Sequence, residues 1–151
     1  MRLCPISQRR RTASTLAESA IAHAVVVLLT VMVVVVALGV FAYQMVGELA
    51  REGARWASVH GGQYAVDTGN AVATQSTIQS TAVIPKAVGL DASQLSVSSA
   101  SWDDPAEMPI YLKNGAVTRN YVSVTVQYNW VPAAYFSSMT LSSTSTMPMQ
   151  Y

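Results

Sequence analysis

Residues 20–43 read AIAHAVVVLLTVMVVVVALGVFAY and decide the architecture of this chain. Fifteen of these residues are Val, Leu, Ile, Met or Phe, and none is Asp, Glu, Lys or Arg. As a helix the segment would be about 36 Å long, which exceeds the about 30 Å hydrocarbon core of a bilayer. Valine disfavours helices in water, but in lipid a helix satisfies all of its own backbone hydrogen bonds. The segment is therefore predicted to be a transmembrane helix.

The composition of the whole chain agrees with a membrane location and excludes several functions. Of 151 residues, 51% are hydrophobic and 11% are charged, whereas an average soluble domain has about 25% charged residues. A net charge of +1 gives no reason to expect a nucleic-acid partner. Cys4 is the only cysteine, which excludes a disulfide within the chain, and two histidines argue against a His-rich metal centre. We expect no cofactor and no metal.

Charges on either side of the apolar segment predict its orientation. Four arginines precede it (Arg2, Arg9, Arg10 and Arg11), and no Asp, Glu, Lys or Arg lies between Glu18 and Glu48. The positive-inside rule then places the N-terminus in the cytoplasm and the residues after about 44 outside. Aromatic residues near the outer interface are Phe41, Tyr43 and Trp56. The alternative is a signal peptide cleaved around residues 40–42, but its apolar region would greatly exceed the usual 7–15 residues.

Residues 44–60, QMVGELAREGARWASVH, continue the helical spacing outside the membrane until Gly61 and Gly62. The predicted organisation is a basic leader over 1–13, a transmembrane and extended helix over 14–60, and a small extracytoplasmic domain over 61–151. Small residues form a stripe along the extended helix: Val46, Ala50, Gly53, Ala54 and Ala57. Small residues at this spacing allow another element to approach closely. The stripe could pack on the chain's own outer domain or on a helix of another subunit, and spacing alone does not decide.

The outer domain is predicted to be α+β. A modest helix is expected over residues 70–88, ended or bent by Pro85. Strands are expected from residue 93, over 120–131 and over 139–149, and residues 121–130 (YVSVTVQYNW) show the clearest alternation. The predicted fold is a long N-terminal helix followed by a short helix and an antiparallel sheet of about three strands.

Motifs of enzymatic sites are absent from the sequence. It contains no GxSxG, no phosphate-binding loop and no GxGxxG. The acidic residues Asp103, Asp104 and Glu107 in WDDPAE lack the ligand spacing of a calcium loop, and Pro105 and Pro109 indicate a surface turn. We therefore expect that the protein is not an enzyme.

The junction between the arginines and the apolar segment, RRRTASTLAESAIAHAVV (residues 9–26), is the most informative stretch. Glu18 lies at the edge of the apolar helix, where an unpaired carboxylate is costly and usually functional. A structural role is also available, since Thr15 and Glu18 have the spacing of a capping box at a helix start.

This junction resembles the processing site of type IV prepilins: a basic leader, a small residue, and a glutamate fifth in the chain that would follow cleavage between Ala13 and Ser14. Residues 50–57, AREGARWA, look like the corresponding segment of the TadE/TadG-like pseudopilins of tight-adherence (Flp-type) pilus systems. The resemblance covers residues 9–58, about a third of the chain. The sequence departs from the usual pattern at Ala13, where glycine is commoner, and at Ser19, where an apolar residue is usual.

The resemblance implies a minor pseudopilin with a single pass through the bacterial inner membrane. A prepilin peptidase would cleave after Ala13, and the new amine of Ser14 would pair with Glu18 of a neighbouring subunit. Its expected partners are the membrane, this peptidase, other pilin or pseudopilin subunits and the pilus assembly machinery, and after processing it would be pilus-associated and assist cell adhesion. The alternative is an uncleaved single-pass anchor that carries an extracytoplasmic binding domain.

Overall fold

A computed structural model describes the backbone of residues 6–104, 106–132 and 137–150, and the side chains of these ranges from residue 15 onward. The chain divides into two compact units, Met1–Leu38 and Gly39–Tyr151. Helix α1 (Ile6–Val59) contributes residues to both units. The predicted leader residues Arg2 and Cys4 lie outside the described part of the chain.

Helix α1 confirms the predicted long N-terminal helix. Over the described residues it extends from Ile6 to Val59, and His60 separates its end from the Gly61 and Gly62 pair. The stretch Thr15–Val59 is long and apolar enough to cross a membrane. In the first unit, the side chains of residues 15–38 are exposed except for a half-buried Val35. This part of the helix therefore has no core of its own among the described residues.

The second unit is built around a three-stranded antiparallel sheet, as predicted. The described residues form five strands: β1 (Leu95–Trp102), β2 (Ile110–Lys113), β3 (Ala116–Arg119), β4 (Tyr121–Trp130) and β5 (Met139–Pro148). Strand β4 is central, between β1 and β5. It pairs with β5 over its whole length, from Tyr121 opposite Pro148 to Trp130 opposite Met139. Alternate residues of β4 are buried (Val122, Val124, Val126 and Tyr128), which confirms the period of two in the sequence.

The core lies between this buried face of the sheet and the last five turns of α1. Leu49 and Ile78 are the largest of its fully buried side chains, and the valines of β4 pack with Val83 and with Leu95 and Val97 of β1 in the same core. Burying one Val, Leu or Ile side chain stabilises a fold by about 1.5–3 kcal/mol. Since α1 supplies one whole side of this core, the domain depends on the helix for its folding.

Short helical segments connect α1 to the sheet. Helix α2 (Gly62–Thr68) was not predicted, and Gly69 with φ of 72° ends it. The predicted helix over 70–88 is helical over a shorter range: α3 (Gln75–Thr77) continues through a π-helical segment, Ile78–Val83, and a 3-10 turn, Ile84–Lys86. Its later start is fixed by Thr74, whose hydroxyl accepts from the Thr77 backbone N–H at 3.3 Å.

A second, two-stranded sheet was not predicted. Strands β2 and β3 form a hairpin whose turn contains Asn114 and Gly115, both at positive φ (53° and 80°). Asn-Gly is a strong hairpin signal, but each strand has only four residues and most of them are exposed. The alternation of buried and exposed residues that identifies longer strands is therefore missing.

Candidate functional site: the anchoring helix and the base of its domain

Glu18 lies inside α1, at the edge of the apolar segment, and its side chain is exposed. Among the described side chains it forms no ion pair. Thr15 also lies inside the helix, nine residues after its first residue, so the predicted capping box at a helix start is wrong. The backbone of Ala13 and Ser14 belongs to α1, and their side chains lie outside the described residues. The structure therefore describes the backbone of the predicted processing site but not its side chains.

Polar side chains of the apolar segment form hydrogen bonds to the backbone of the helix itself. The Thr30 hydroxyl donates to the Val26 carbonyl at 2.8 Å, and Nδ1 of His23 lies 2.6 Å from the carbonyl oxygen of Ser19. Such bonds to the preceding turn reduce the free-energy cost of placing a hydroxyl or an imidazole in lipid. The segment can therefore face hydrocarbon although it contains a histidine and a threonine.

The small-residue stripe faces the chain's own domain. Val46, Ala50, Ala54 and Ala57 are 0% exposed. A Cβ placed on Gly53 would lie 3.2 Å from Val124 Cγ1, 3.3 Å from Ile78 Cγ2 and 3.4 Å from Val83 Cγ2. Of the two interpretations that spacing left open, the structure shows packing within the chain, because no exposed surface of the stripe remains for a helix of another subunit.

Charged residues of the same part of α1 lie on its other side and form ion pairs. Nη1 of Arg51 is 2.8 Å from Oε1 of Glu48, and Nζ of Lys86 is 2.7 Å from Oε2 of Glu52. The Lys86 hydrogen bond lowers the pKa of the Glu52 carboxyl. Exposed pairs of this kind contribute about 0–1 kcal/mol. The AREGARWA segment thus combines a buried small-residue side with a charged outer side.

The acidic WDDPAE segment is a turn attached to the rest of the domain by a buried asparagine. Asn120 is 0% exposed. Its Nδ2 donates to the Met108 carbonyl at 2.8 Å, and its Oδ1 accepts from the Asp104 backbone N–H at 3.1 Å. Its own carbonyl accepts from the Met149 N–H at 2.9 Å. Within the described residues no group of acidic, His or Cys side chains could hold a metal ion.

Two aromatic rings contact the only histidine outside the apolar segment. His60 stacks on Trp56 with a centroid distance of 4.0 Å, and its centroid lies 4.6 Å from that of the tilted Tyr64 ring. Nδ1 of His60 is 2.8 Å from the Trp56 carbonyl oxygen. Trp56, proposed above as an interface residue, therefore belongs to this stack. Sequence analysis missed the stack, although the four-residue spacing of residues 56, 60 and 64 could have indicated it.

At the base of the domain, aromatic side chains lie against the end of the apolar segment. An ideal Cβ on Gly39 would lie 2.8 Å from Cη2 of Trp130, at the end of β4. A Cβ on Gly89 would lie 3.2 Å from Cε1 of Phe41. These contacts join the end of β4 and the turn at Gly89 to the helix at residues 39–41.

Comparisons with protein-family models, with curated proteins and with solved structures find no match to this chain.

Proposed function

We propose that this protein is a minor pseudopilin-like membrane protein that assists assembly of a tight-adherence type IV pilus after cleavage by a prepilin peptidase between Ala13 and Ser14. The observation that carries the proposal is Glu18, a single exposed carboxylate at the edge of an uncovered apolar helix. The bacterial inner membrane, with the N-terminus in the cytoplasm, is part of the proposal.

The exposed apolar surface of α1 supports a role in anchoring and assembly. Apart from the half-buried Val35, the valine and leucine side chains of residues 20–38 form an exposed surface that nothing in the described chain covers, and Leu28, for example, is 68% exposed. An apolar surface of this extent requires lipid or other apolar helices around it. The same helix can therefore act first as a membrane anchor and later as a packing element of an assembly.

An ion pair at Glu18 would set the alignment of the helices of neighbouring subunits. Cleavage after Ala13 would remove all four leader arginines and leave a positively charged amine on Ser14. Opposite charges attract strongly where the dielectric constant is low, whereas an unpaired charge there is costly. Pairing of the Ser14 amine of one subunit with Glu18 of its neighbour would thus favour one alignment of the two helices.

The outer domain would make the lateral contacts. Its sheet packs directly on α1 through Gly53 and Val124, so that domain and helix would be presented to neighbouring subunits in a fixed arrangement from residue 39 onward.

A charge-neutralising variant with a matched control tests the role of Glu18. In a strain that makes the pilus, we expect Glu18→Gln to be inserted and cleaved normally but to reduce the number of pili on the cells. Glu48→Gln removes an exposed carboxylate 30 residues later that pairs with Arg51, and we expect normal piliation. Normal piliation in both variants would contradict the proposed role.

The second candidate is an uncleaved anchor that carries a binding domain. It is favoured by the position of the Ala13–Ser14 peptide bond inside α1, because a protease must unwind a helix before it can cleave within it. The outer face of the sheet offers an uncharged binding surface, where Ser123 and Thr146, and Thr125 and Thr144, form cross-strand hydroxyl pairs at 2.8 Å. Retention of residues 1–13 in the mature protein would favour this candidate.

A further inference from the structure

We propose that the end of the outer domain that carries Trp130 lies in the headgroup region of the bilayer, so that the domain is seated on the lipid. The occupant of this surface is the membrane itself. The inference rests on the membrane-anchoring part of the proposed function and is independent of cleavage and pilus assembly.

The contact between Gly39 and Trp130 fixes the position of this end of the domain along α1, and so its position relative to the membrane. An ideal Cβ on Gly39 would lie 2.8 Å from Cη2 and 3.1 Å from Cζ3 of Trp130, so the indole covers the helix backbone at this glycine. Gly39 belongs to the apolar segment and precedes its last residue, Tyr43, by four positions. At about 1.5 Å per residue, the indole reaches about 6 Å below Tyr43 along the helix. A helix inserted up to Tyr43 therefore brings Trp130 to the membrane.

The turn at Gly89 contacts α1 at nearly the same level as Trp130 does. Gly89, at φ of 76°, lies against Phe41, whose Cε1 would be 3.2 Å from a Cβ at Gly89. The neighbouring Val88 is 72% exposed. This turn and the β4–β5 end thus contact the helix within two residues of each other, at Gly39 and Phe41, and both present apolar side chains there.

The surface around the end of β4 and the turn at Gly89 is mostly apolar, and Asp91, two residues after Gly89, is an exposed carboxylate beside it. Its exposed apolar side chains are Tyr43 at 57%, Val88 at 72%, Val131 at 61% and Met139 at 54%. Arg119 is the last Asp, Glu, Lys or Arg in the sequence, so β4, β5 and the connection between them carry no such residue. On α1 the next charge after Tyr43 is Glu48, about 7.5 Å further along the helix.

A lipid interface fits this surface because of its residue types and its continuity with the helix. Tryptophan and tyrosine are enriched at the headgroup level, where an apolar ring and a polar N–H or O–H are both satisfied. Valine and methionine side chains around them can enter the acyl boundary, as those of an interfacial helix do. Along α1 no Asp, Glu, Lys or Arg lies between the apolar segment and Glu48, so insertion of the helix up to Tyr43 brings Trp130 to the bilayer.

Quenching of tryptophan fluorescence by brominated lipids tests this position in the full-length protein. The chain has three tryptophans, and the double variant W56F/W102F retains only Trp130. Trp102 is a matched control, because it pairs with Val122 at the opposite end of β4, eight residues from Trp130 and about 27 Å away. The variant W56F/W130F retains only this control. A third reporter, L28W with all three native tryptophans changed to Phe, places one indole in the apolar segment.

In phosphatidylcholine vesicles with bromines near the headgroup end of the acyl chains, we expect emission from Trp130 to fall strongly and emission from Trp102 to stay unchanged. The L28W reporter should be quenched most by bromines placed deeper in the acyl chains. If L28W is quenched but Trp130 behaves like Trp102, the domain is held away from the lipid and the inference is wrong, while membrane anchoring stands. If L28W is not quenched at any depth, membrane anchoring itself fails, and the inference fails with it.

Discussion

Gly53 of α1 faces Val124 at the centre of β4, where a Cβ on the glycine would lie only 3.2 Å from Cγ1 of the valine. Val124 is 0% exposed, and Ile78 and Val83 complete the surroundings of Gly53. The glycine thus lets the backbone of the helix lie directly on the sheet.

Enlarging Gly53 should separate the helix from the sheet. We expect Gly53→Leu to lower the free energy of unfolding of the outer domain by about 1–3 kcal/mol or more, because overpacking a core displaces side chains and backbone. The measurement is urea unfolding of the full chain in detergent, followed by near-ultraviolet circular dichroism.

Gly47 provides the matched control for Gly53 on the same helix. Its nearest neighbour would be Ser143 Oγ at 3.9 Å from an added Cβ, which is an ordinary contact. Gly47→Ala should therefore be neutral or stabilise the domain, since alanine is favoured over glycine in a helix by up to about 1 kcal/mol. Equal destabilisation by Gly47→Ala and Gly53→Leu would contradict the proposed close approach at residue 53.

Removing the side chain of Asn120 should loosen the WDDPAE turn. Asn120→Ala would remove the acceptor of the Asp104 N–H and the donor to the Met108 carbonyl. Leaving a buried partner unsatisfied costs about 1–3 kcal/mol. We expect a loss of stability of this size in the same unfolding measurement, together with faster hydrogen exchange at residue 104.

Asn129 is a suitable control for Asn120 because the hydrogen bond that its Nδ2 donates to Oε1 of Gln94, at 3.1 Å, is exposed. Asn129→Ala should change the stability by less than about 0.5 kcal/mol. If Asn120→Ala were equally mild, the turn would be held by other contacts.

The pH dependence of stability should contain a term from Glu107. Burial raises the pKa of its carboxyl above the ordinary value of 4.5. The folded chain therefore binds this proton more tightly than the unfolded chain does. The stability contributed by the bound proton is full below the unfolded pKa, decreases as the pH rises through the folded pKa, and is then absent.

Glu107→Gln should remove this loss of stability. As the pH rises from the unfolded to the folded pKa of Glu107, the urea midpoint of the variant should therefore decline less than that of the native chain. The Glu52 carboxyl contributes with the opposite sign, because the Lys86 hydrogen bond lowers its pKa. Its stabilising term is present above pH 4.5 and is lost as the pH falls below that value. An unchanged profile in Glu107→Gln would contradict the assignment.

The parts of the fold that the sequence predicted are those with strong periodicity. The apolar run identified α1, and the alternation of Val122, Val124 and Val126 identified the central strand, because burial on one side selects the residues at that spacing. Helix α2 and the β2–β3 hairpin escaped prediction because they are short and contain few buried side chains, so burial imposes no period on them.

The candidate site was only partly predictable. A stripe of small residues has the same pattern whether it packs on a sheet of its own chain or on a helix of another, so only the structure placed Gly53 against Val124. The contact of Trp130 with Gly39 joins residues 91 positions apart in sequence, and no local pattern indicates such a pair. Glu18 was identified from sequence because its isolation next to an apolar helix is itself a local signal.

The most direct test of the proposed function is the mass of the intact protein isolated from cells with and without a prepilin peptidase. The account predicts a chain that begins at Ser14 only when the peptidase is present. An Ala13→Leu variant, which removes the small residue before the cleavage site, should retain the leader in both strains. A full-length chain in the presence of the peptidase would contradict processing and favour the uncleaved anchor. A chain that begins at Tyr43 would contradict both candidates and identify a secreted protein.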